Sequence, residues 1–310
     1  MKLHSNKIIK SILLGASFAA LLVMPSCFPD EVSGDLGAPP TPVLSTTVQG
    51  DGYTVTLINE TSTPTIAYYS IPALNLGYSD LNGETVEVSF IFPGTYEIEM
   101  LVTGRNGKAS TKVNVTTTQP DPNACDPSTA LGFIASCTSK TWTLIQGAGA
   151  YKVGPGPNDG SWWTSGDGDV TGRDCEFHDE YTFAFDADGT FDYESFDDFY
   201  GDGYLGDNSH ACQPESNFTA TQAPWGSGTH KFAIIKGTGQ AGLGQLKVIG
   251  LGAHIGLQKV TTNAEITGGP VESITYDILS MTQDAVNGDV LVIGCNMGWG
   301  WWTFTLQEKI

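Results

Sequence analysis

The segment Glu180-Tyr181-Thr182-Phe183-Ala184-Phe185-Asp186-Ala187-Asp188-Gly189-Thr190-Phe191-Asp192-Tyr193 carries aromatic side chains at alternate positions on both sides of an Asp-Gly pair. Residues two apart in an extended strand share a face, and Asp-Gly is a strong signal for a tight hairpin turn. This part of the chain is therefore committed to antiparallel β structure. Alternating or apolar runs at Lys140–Leu144, Lys231–Lys236, Gln245–Ile249, Ser273–Leu279, Val290–Ile293 and Trp301–Leu306 extend the pattern. No long amphipathic helix interrupts them, and 38 glycines are available for turns. The expected fold class is all-β, with an antiparallel β-sandwich of jelly-roll type over residues 140–310.

The N-terminus speaks to location. Lys2, Lys7 and Lys10 precede an uncharged apolar run from Ser11 to Met24, followed by Pro25-Ser26-Cys27. That order is the one of a secretory signal, and the run falls short of the roughly 20 residues a membrane span needs. Ser26-Cys27 resembles a bacterial lipobox, with Met24 and Pro25 departing from its preferred residues. Residues 1–26 are thus expected to be a lipoprotein signal peptide, Cys27 the lipidated residue, and 27–40 a Gly/Pro-rich flexible tether. The acidic pair Asp30-Glu31 just beyond Cys27 resembles the surface-export signal of lipoproteins in the Bacteroidota. It implies a lipid-anchored protein on the outer face of the outer membrane.

A first β module is expected over residues 41–118. Tyr53-Thr54-Val55-Thr56-Leu57 and Thr85-Val86-Glu87-Val88-Ser89-Phe90 alternate, and Asn106-Gly107 signals a hairpin leading to Val113-Asn114-Val115. With Phe92-Pro93-Gly94-Thr95-Tyr96, this ending resembles a polycystic-kidney-disease-type (PKD) module, an immunoglobulin-like sandwich. The Trp-x-Phe-Gly-Asp-Gly region of that family is absent, and Tyr68-Tyr69-Ser70-Ile71-Pro72 stands in its place. The role implied is a spacer, followed by a linker over 119–139.

All seven tryptophans lie beyond residue 141, five of them in the glycine-rich clusters Gly160-Ser161-Trp162-Trp163 and Gly298-Trp299-Gly300-Trp301-Trp302. An exposed indole offers a flat apolar face on which a pyranose ring stacks. Strand parity groups Trp302, Phe304 and Leu306 inward and sends Trp301 outward, while Trp142 shares the inner face with Leu144. Trp162, Trp163, Trp299 and Trp301 are the expected stacking residues, with Tyr200 and Trp225 as further candidates. The competing reading makes the Trp299–Trp302 cluster edge packing. In the first module, Tyr68, Tyr69 and Tyr78 form an alternative second glycan site.

Lys140-Thr141-Trp142, Arg173-Asp174-Cys175-Glu176-Phe177-His178-Asp179-Glu180-Tyr181, Ala187-Asp188-Gly189-Thr190-Phe191, Gly250-Leu251-Gly252-Ala253-His254-Ile255-Gly256-Leu257 and Gly300-Trp301-Trp302-Thr303-Phe304 together resemble a recurrent C-terminal module. It is similar to the glycan-binding modules of Bacteroidota surface lipoproteins that serve SusC/SusD-like uptake systems, some of which bind β-1,3-glucan (laminarin). The resemblance covers roughly residues 138–308. It implies a non-catalytic polysaccharide-binding lipoprotein whose partners are a β-1,3-glucan and a SusC/SusD-like outer-membrane complex.

Charge narrows the alternatives. Acids outnumber bases 34 to 14, and the formal net charge of −20 becomes −23 once the three signal lysines are lost. Nucleic acid is excluded as a partner, because phosphates must be met by Lys and Arg. From Asp174 to Asp207 the chain holds twelve Asp or Glu and no Lys or Arg, a run whose self-repulsion a cation would relieve. Asp186-Ala187-Asp188-Gly189 is similar to the start of a calcium loop but lacks the remaining EF-hand ligands. No cofactor is expected, calcium being the one possibility kept. Export favours disulfides, expected at Cys175–Cys212 and Cys125–Cys137, with Cys295 a buried free thiol. A zinc site from Cys175, His178, His210 and Cys212 competes with the first of these pairings. The paired-carboxylate strand motif of laminarinases and the Gly-x-Ser-x-Gly elbow are both absent, so no enzyme is expected. The alternative to glycan binding is a structural or adhesion lipoprotein with a calcium-stabilised acidic loop, and a glycoside hydrolase stands behind both.

Overall fold

Burial alternates along the strands of the first module in the computed structural model, which describes residues 37–310. The signal segment, Cys27 and most of the tether lie outside the described residues. Seven strands make the first module: β1 (Leu44–Val48), β2 (Thr54–Asn59), β3 (Thr65–Ile71), β4 (Leu76–Asn82), β5 (Thr85–Ser89), β6 (Gly94–Gly104) and β7 (Gly107–Thr117). They form two sheets, ordered β1-β2-β5 and β4-β3-β6-β7. Val55, Leu57, Ala67, Tyr69, Ile98 and Met100 meet between them with no exposed surface. This is an immunoglobulin-like sandwich. Tyr69, a candidate for a second glycan site, is instead core, with its hydroxyl donating to Gly83 O at 3.1 Å.

The second module is also all-β, but its strand order is not that of a jelly roll. Its strands are β8 (Ser139–Leu144), β9 (Tyr151–Gly154), β10 (Trp163–Thr164), β11 (Glu180–Ala184), β12 (Thr190–Glu194), β13 (Asp198–Tyr200), β14 (Cys212–Pro214), β15 (Gly228–Ile235), β16 (Gln245–Ile249), β17 (Val260–Thr261), β18 (Ala264–Glu265), β19 (Ser273–Thr282), β20 (Val290–Asn296) and β21 (Trp301–Glu308). Around the main sheet run β8, β11, β12, β15, β16, β19, β20 and β21, each antiparallel to the next, and β21 pairs back onto β8. The result is a closed up-and-down barrel, with β9 continuing β8 along β21. Closure leaves no sheet edge among these strands. Alternation specifies which face a side chain takes and not which strand lies beside it. The sandwich and the closed meander therefore share one sequence pattern.

The lumen is filled by the chain itself. Trp142, Tyr181, Phe183, Phe191, Tyr276 and Phe304 have no exposed surface and pack inside. Helix α1 (Ala130–Ala135) closes one end. Its N-cap Thr129 accepts from Gly132 N at 3.1 Å, and Phe133 and Ile134 are fully buried. Trp142 Nε1 donates to Ile134 O at 2.9 Å, and the Phe133 and Trp142 rings lie 5.6 Å apart. Residues 130–135, expected in a linker, are thus part of the barrel core. From the other end the segment 253–257 enters, placing Ala253, His254, Ile255 and Leu257 in the interior. Gly256 N and Ile255 N donate to the hydroxyls of Tyr181 and Tyr276, each at 3.0 Å. Gly256 has φ +74°, and a Cβ there would lie 2.4 Å from the Phe304 ring, so only glycine fits.

The two modules touch, and Pro39–Ile310 form one compact unit. Leu76 packs on Ala233 and Ile235 of the outer barrel wall. Lys247 Nζ meets Asp80 Oδ2 at 2.7 Å, and Asn75 Nδ2 donates to Asp188 O and Phe232 O. Among the described residues, no helix is long and apolar enough to cross a membrane.

Candidate functional site

The barrel's connections differ sharply between its ends. At the α1 end the links are short: 185–189, 236–244 and 283–289. At the other end the connections 155–179, 195–227 and 250–272 are long and converge with the turn 297–300. Long loops on a rigid scaffold are where binding residues concentrate, and barrel mouths are a favoured position. With that turn, these connections carry five of the six expected aromatic candidates and helices α2 (Asp167–Gly172) and α3 (Asp174–Phe177).

Trp162 and Trp299 come together as a stacked pair, ring centroids 5.6 Å apart and planes at 16°. They are 50% and 56% exposed, the most open indoles in the molecule. Gly300 makes this possible, because a Cβ there would stand 2.4 Å from Trp162 Cζ3. Next to this ridge Trp163, 38% exposed, sets its ring at 65° to Trp302 with centroids 6.1 Å apart. Trp163 and Trp302 line a recess of about 170 Å³ together with Tyr151, Arg173, Asp202, Leu257 and Lys259.

The polar groups of the recess are held in place by partners. Trp302 Nε1 donates to Glu265 Oε1 at 2.6 Å, and Lys259 Nζ reaches the same oxygen at 3.1 Å. The Lys259 ammonium also lies 5.0 Å from the Trp302 ring centroid, a favourable cation–π contact. Arg173 forms a fork on Glu176, Nε to Oε2 at 2.6 Å and Nη2 to Oε1 at 3.0 Å. Its guanidinium lies over Tyr200, 3.9 Å from the ring centroid. Burial raises the Glu176 carboxyl above its ordinary range, and Arg173 opposes that shift. Asp202 N-caps the 203–205 turn through Gly203 N at 2.6 Å. Such fixed donors and acceptors beside two indole walls suit a ligand with an apolar face and a rim of hydroxyls.

Three aromatic candidates are placed elsewhere. Trp301 does face out of the barrel, as parity requires, but it is only 8% exposed. The segment after β9 crosses the outer face of β21, with Asn158 N donating to Thr303 Oγ1 at 2.9 Å. The Trp301 indole itself lies against Gly294, whose added Cβ would stand 3.2 Å from Trp301 Cε3. Trp225 is 2% exposed in a small cluster with Phe199 and Leu205. Tyr200 is buried beneath Arg173 and offers no free face. Conversely, Trp302 is core by parity yet reaches the barrel rim and lines the recess. Lys259, Glu265 and Asp202 were missed; scarcity of bases was the available signal for Lys259.

The acidic run is largely engaged internally. Asp186 Oδ1 accepts from Asp188 N and Thr190 N, closing the hairpin turn. Asp179 is buried and accepts from the Tyr193 hydroxyl at 2.9 Å. Burial holds its carboxyl well above the usual range. Among the described residues no group of three or more His, Cys, Asp or Glu is arranged to hold a metal ion. Cys175 and Cys212 form a disulfide, which displaces the zinc arrangement. Cys125 and Cys137 are free thiols, in place of the expected bond; the hydrogen bond that the Cys125 thiol makes to Cys137, together with burial, pushes the Cys125 thiol up to about 11. Cys295 is a buried free thiol.

No family model matches the chain, and no curated protein matches it. Among solved structures, 26% of the chain is similar to one described as the crystal structure of the PKD1 domain of Vibrio anguillarum Epp. That match covers 96% of the other chain at 14% identity, with a TM-score of 0.23. The sandwich assignment of residues 44–117 rests on strand pairing.

Proposed function

We propose that the protein is a non-catalytic surface lipoprotein that binds a neutral polysaccharide at the barrel mouth, with β-1,3-glucan the first choice. The observation that carries this reading is a partner-braced polar recess walled by Trp163 and Trp302, with the exposed Trp162–Trp299 stack on the same two chain segments. The Trp162–Trp299 ridge supplies the open apolar surface, and the recess supplies the hydroxyl partners. Anchoring through Cys27 at the outer membrane and delivery to a SusC/SusD-like complex complete the proposal. In it the sandwich stands as a docked support for the barrel.

Affinity electrophoresis of the folded protein in gels containing laminarin tests the reading. Each stacking ring contributes about 1 kcal/mol, roughly fivefold in affinity. Trp163→Ala should weaken retardation about fivefold, and Trp163→Ala combined with Trp299→Ala by roughly 30-fold. Absence of retardation of the wild-type protein in laminarin and in every other glucan gel would refute it.

A further inference from the structure

A second concavity, about 600 Å³, is lined by Phe177 and His178 at the end of α3, by Thr143 and Glu180 of β8 and β11, and by Phe196. We propose that it is a second, weaker glycan site, a proposal that rests on the glycan reading of the mouth. Phe196 forms its aromatic wall. It is 49% exposed and sits with Asp197 in consecutive left-handed conformations, φ 57° and 63°, a backbone that L residues adopt at a cost. Phe196 N donates to Glu194 Oε1 at 2.9 Å, which holds the turn, and the His178 ring meets Phe196 edge-on at 5.3 Å. A large apolar ring is thus fixed facing solvent over a cavity.

The opposite wall is polar and incompletely paired. Gln146 uses its amide hydrogens on Leu144 O and Phe177 O, which leaves Oε1 as an acceptor. The Thr143 hydroxyl makes no side-chain bond, and Glu180 pairs with Lys309 through one carboxylate oxygen only. An aromatic face opposed by a hydroxyl, an amide oxygen and a carboxylate–ammonium pair matches the needs of a sugar ring and not those of an anion or an apolar peptide. The two sites are also adjoining. Arg173 immediately before α3 lines the recess, and Phe177 and His178 at its end line the second concavity. Four helical residues rise only about 6 Å, so one polysaccharide chain can engage both, and linkage raises the apparent affinity.

Calorimetric titration of the full chain with a short β-1,3-gluco-oligosaccharide, and affinity gels with laminarin, provide the test. Wild type should take two equivalents of oligosaccharide, and Phe196→Ala and Lys309→Ala should each remove or weaken the weaker one alone. Phe196→Ala should weaken laminarin retardation about fivefold or more, and Trp163→Ala should impair the tighter equivalent. Thermal melting confirms that each variant is folded, and all three altered residues are exposed. One equivalent in wild type, lost with Trp163→Ala and untouched by Phe196→Ala and Lys309→Ala, overturns the second site while leaving the first. No binding of any glucan overturns both.

Discussion

Trp299 and Trp301 stand two residues apart and have opposite consequences when cut to alanine. Trp301 is 8% exposed and lies on Gly294 against the outer barrel wall. Removing a buried indole costs about 3–5 kcal/mol, because the surroundings close the cavity only in part. For a folded unit of this size each kcal/mol shifts the melting midpoint by about 2–4 °C, so Trp301→Ala should melt roughly 10 °C lower. Trp299 already has 56% of its surface in water and loses chiefly its stack on Trp162. That stack contributes about 1 kcal/mol, hence a shift of only about 3 °C. Laminarin retardation should respond the other way: about fivefold weaker for Trp299→Ala, and unchanged for Trp301→Ala measured well below its midpoint. Thermal melts by circular dichroism, run beside the gels, read both quantities. A Trp301→Ala protein that melts like wild type yet loses laminarin would show that the outward indole binds ligand, and the reasoning from burial would be wrong.

Three further outcomes follow from the interior. His254 is fully buried, its Nδ1 2.8 Å from Gly252 O, and burial lowers its pKa from 6.5 to about 4. Between those values the unfolded chain takes a proton that the folded chain refuses, so stability is intact above pH 6.5 and falls as pH drops toward 4, by about 3 kcal/mol. Burial-raised Asp179 and Glu176 act in the opposite sense over this window, so the informative measurement is denaturant unfolding of wild type against His254→Gln at pH 7 and pH 4.5, with the variant losing less. Lys247→Met leaves the nearly buried Asp80 carboxylate without its ion-pair partner, at a cost of about 3–5 kcal/mol; scanning calorimetry should show the sandwich and barrel transitions separating. Reducing Cys175–Cys212, whose partners are 37 residues apart, should cost about 4 kcal/mol by loop entropy, seen as a lower melting midpoint under reductant.

What could be read from the sequence divides along a physical line. Parity placed Trp142, Trp302, Phe304 and Leu306 on the inner face, and in the structure those side chains point into the barrel. Face is a local property, fixed by the two-residue period of a strand. Strand neighbours and loop paths are non-local, and there the pattern was silent. It did not show that β21 returns to β8, that a loop crosses β21 at Thr303, or that the outward Trp301 lies buried beside Gly294. The segment Gly250–Leu257 has no strand period and yet supplies the plug. Its glycines permit the positive φ at 250, 252 and 256 that bends it into the lumen.

That plug has a consequence for where a ligand can sit. Eight-stranded barrels have room for their own side chains or for one small ligand, and here Ala253, His254, Ile255 and Leu257 join the strand side chains in that volume. An interior ligand would have to expel residues that carry two backbone hydrogen bonds to Tyr181 and Tyr276. Under the proposed function, a ligand would therefore sit at the rim and outer wall, on loops whose side chains need no interior space. An extended polymer could lie across such a surface, spanning the recess of about 170 Å³ at the rim and the concavity of about 600 Å³ on the outer wall. The self-filled barrel thus agrees with the proposed polysaccharide reading in leaving only surface positions for a ligand. Variants that loosen the plug should lower stability without altering laminarin affinity in the surviving folded protein; Gly256→Ala, which forces a Cβ onto the Phe304 ring, is the variant to compare with wild type. A change in affinity with unchanged melting would place the ligand inside the barrel.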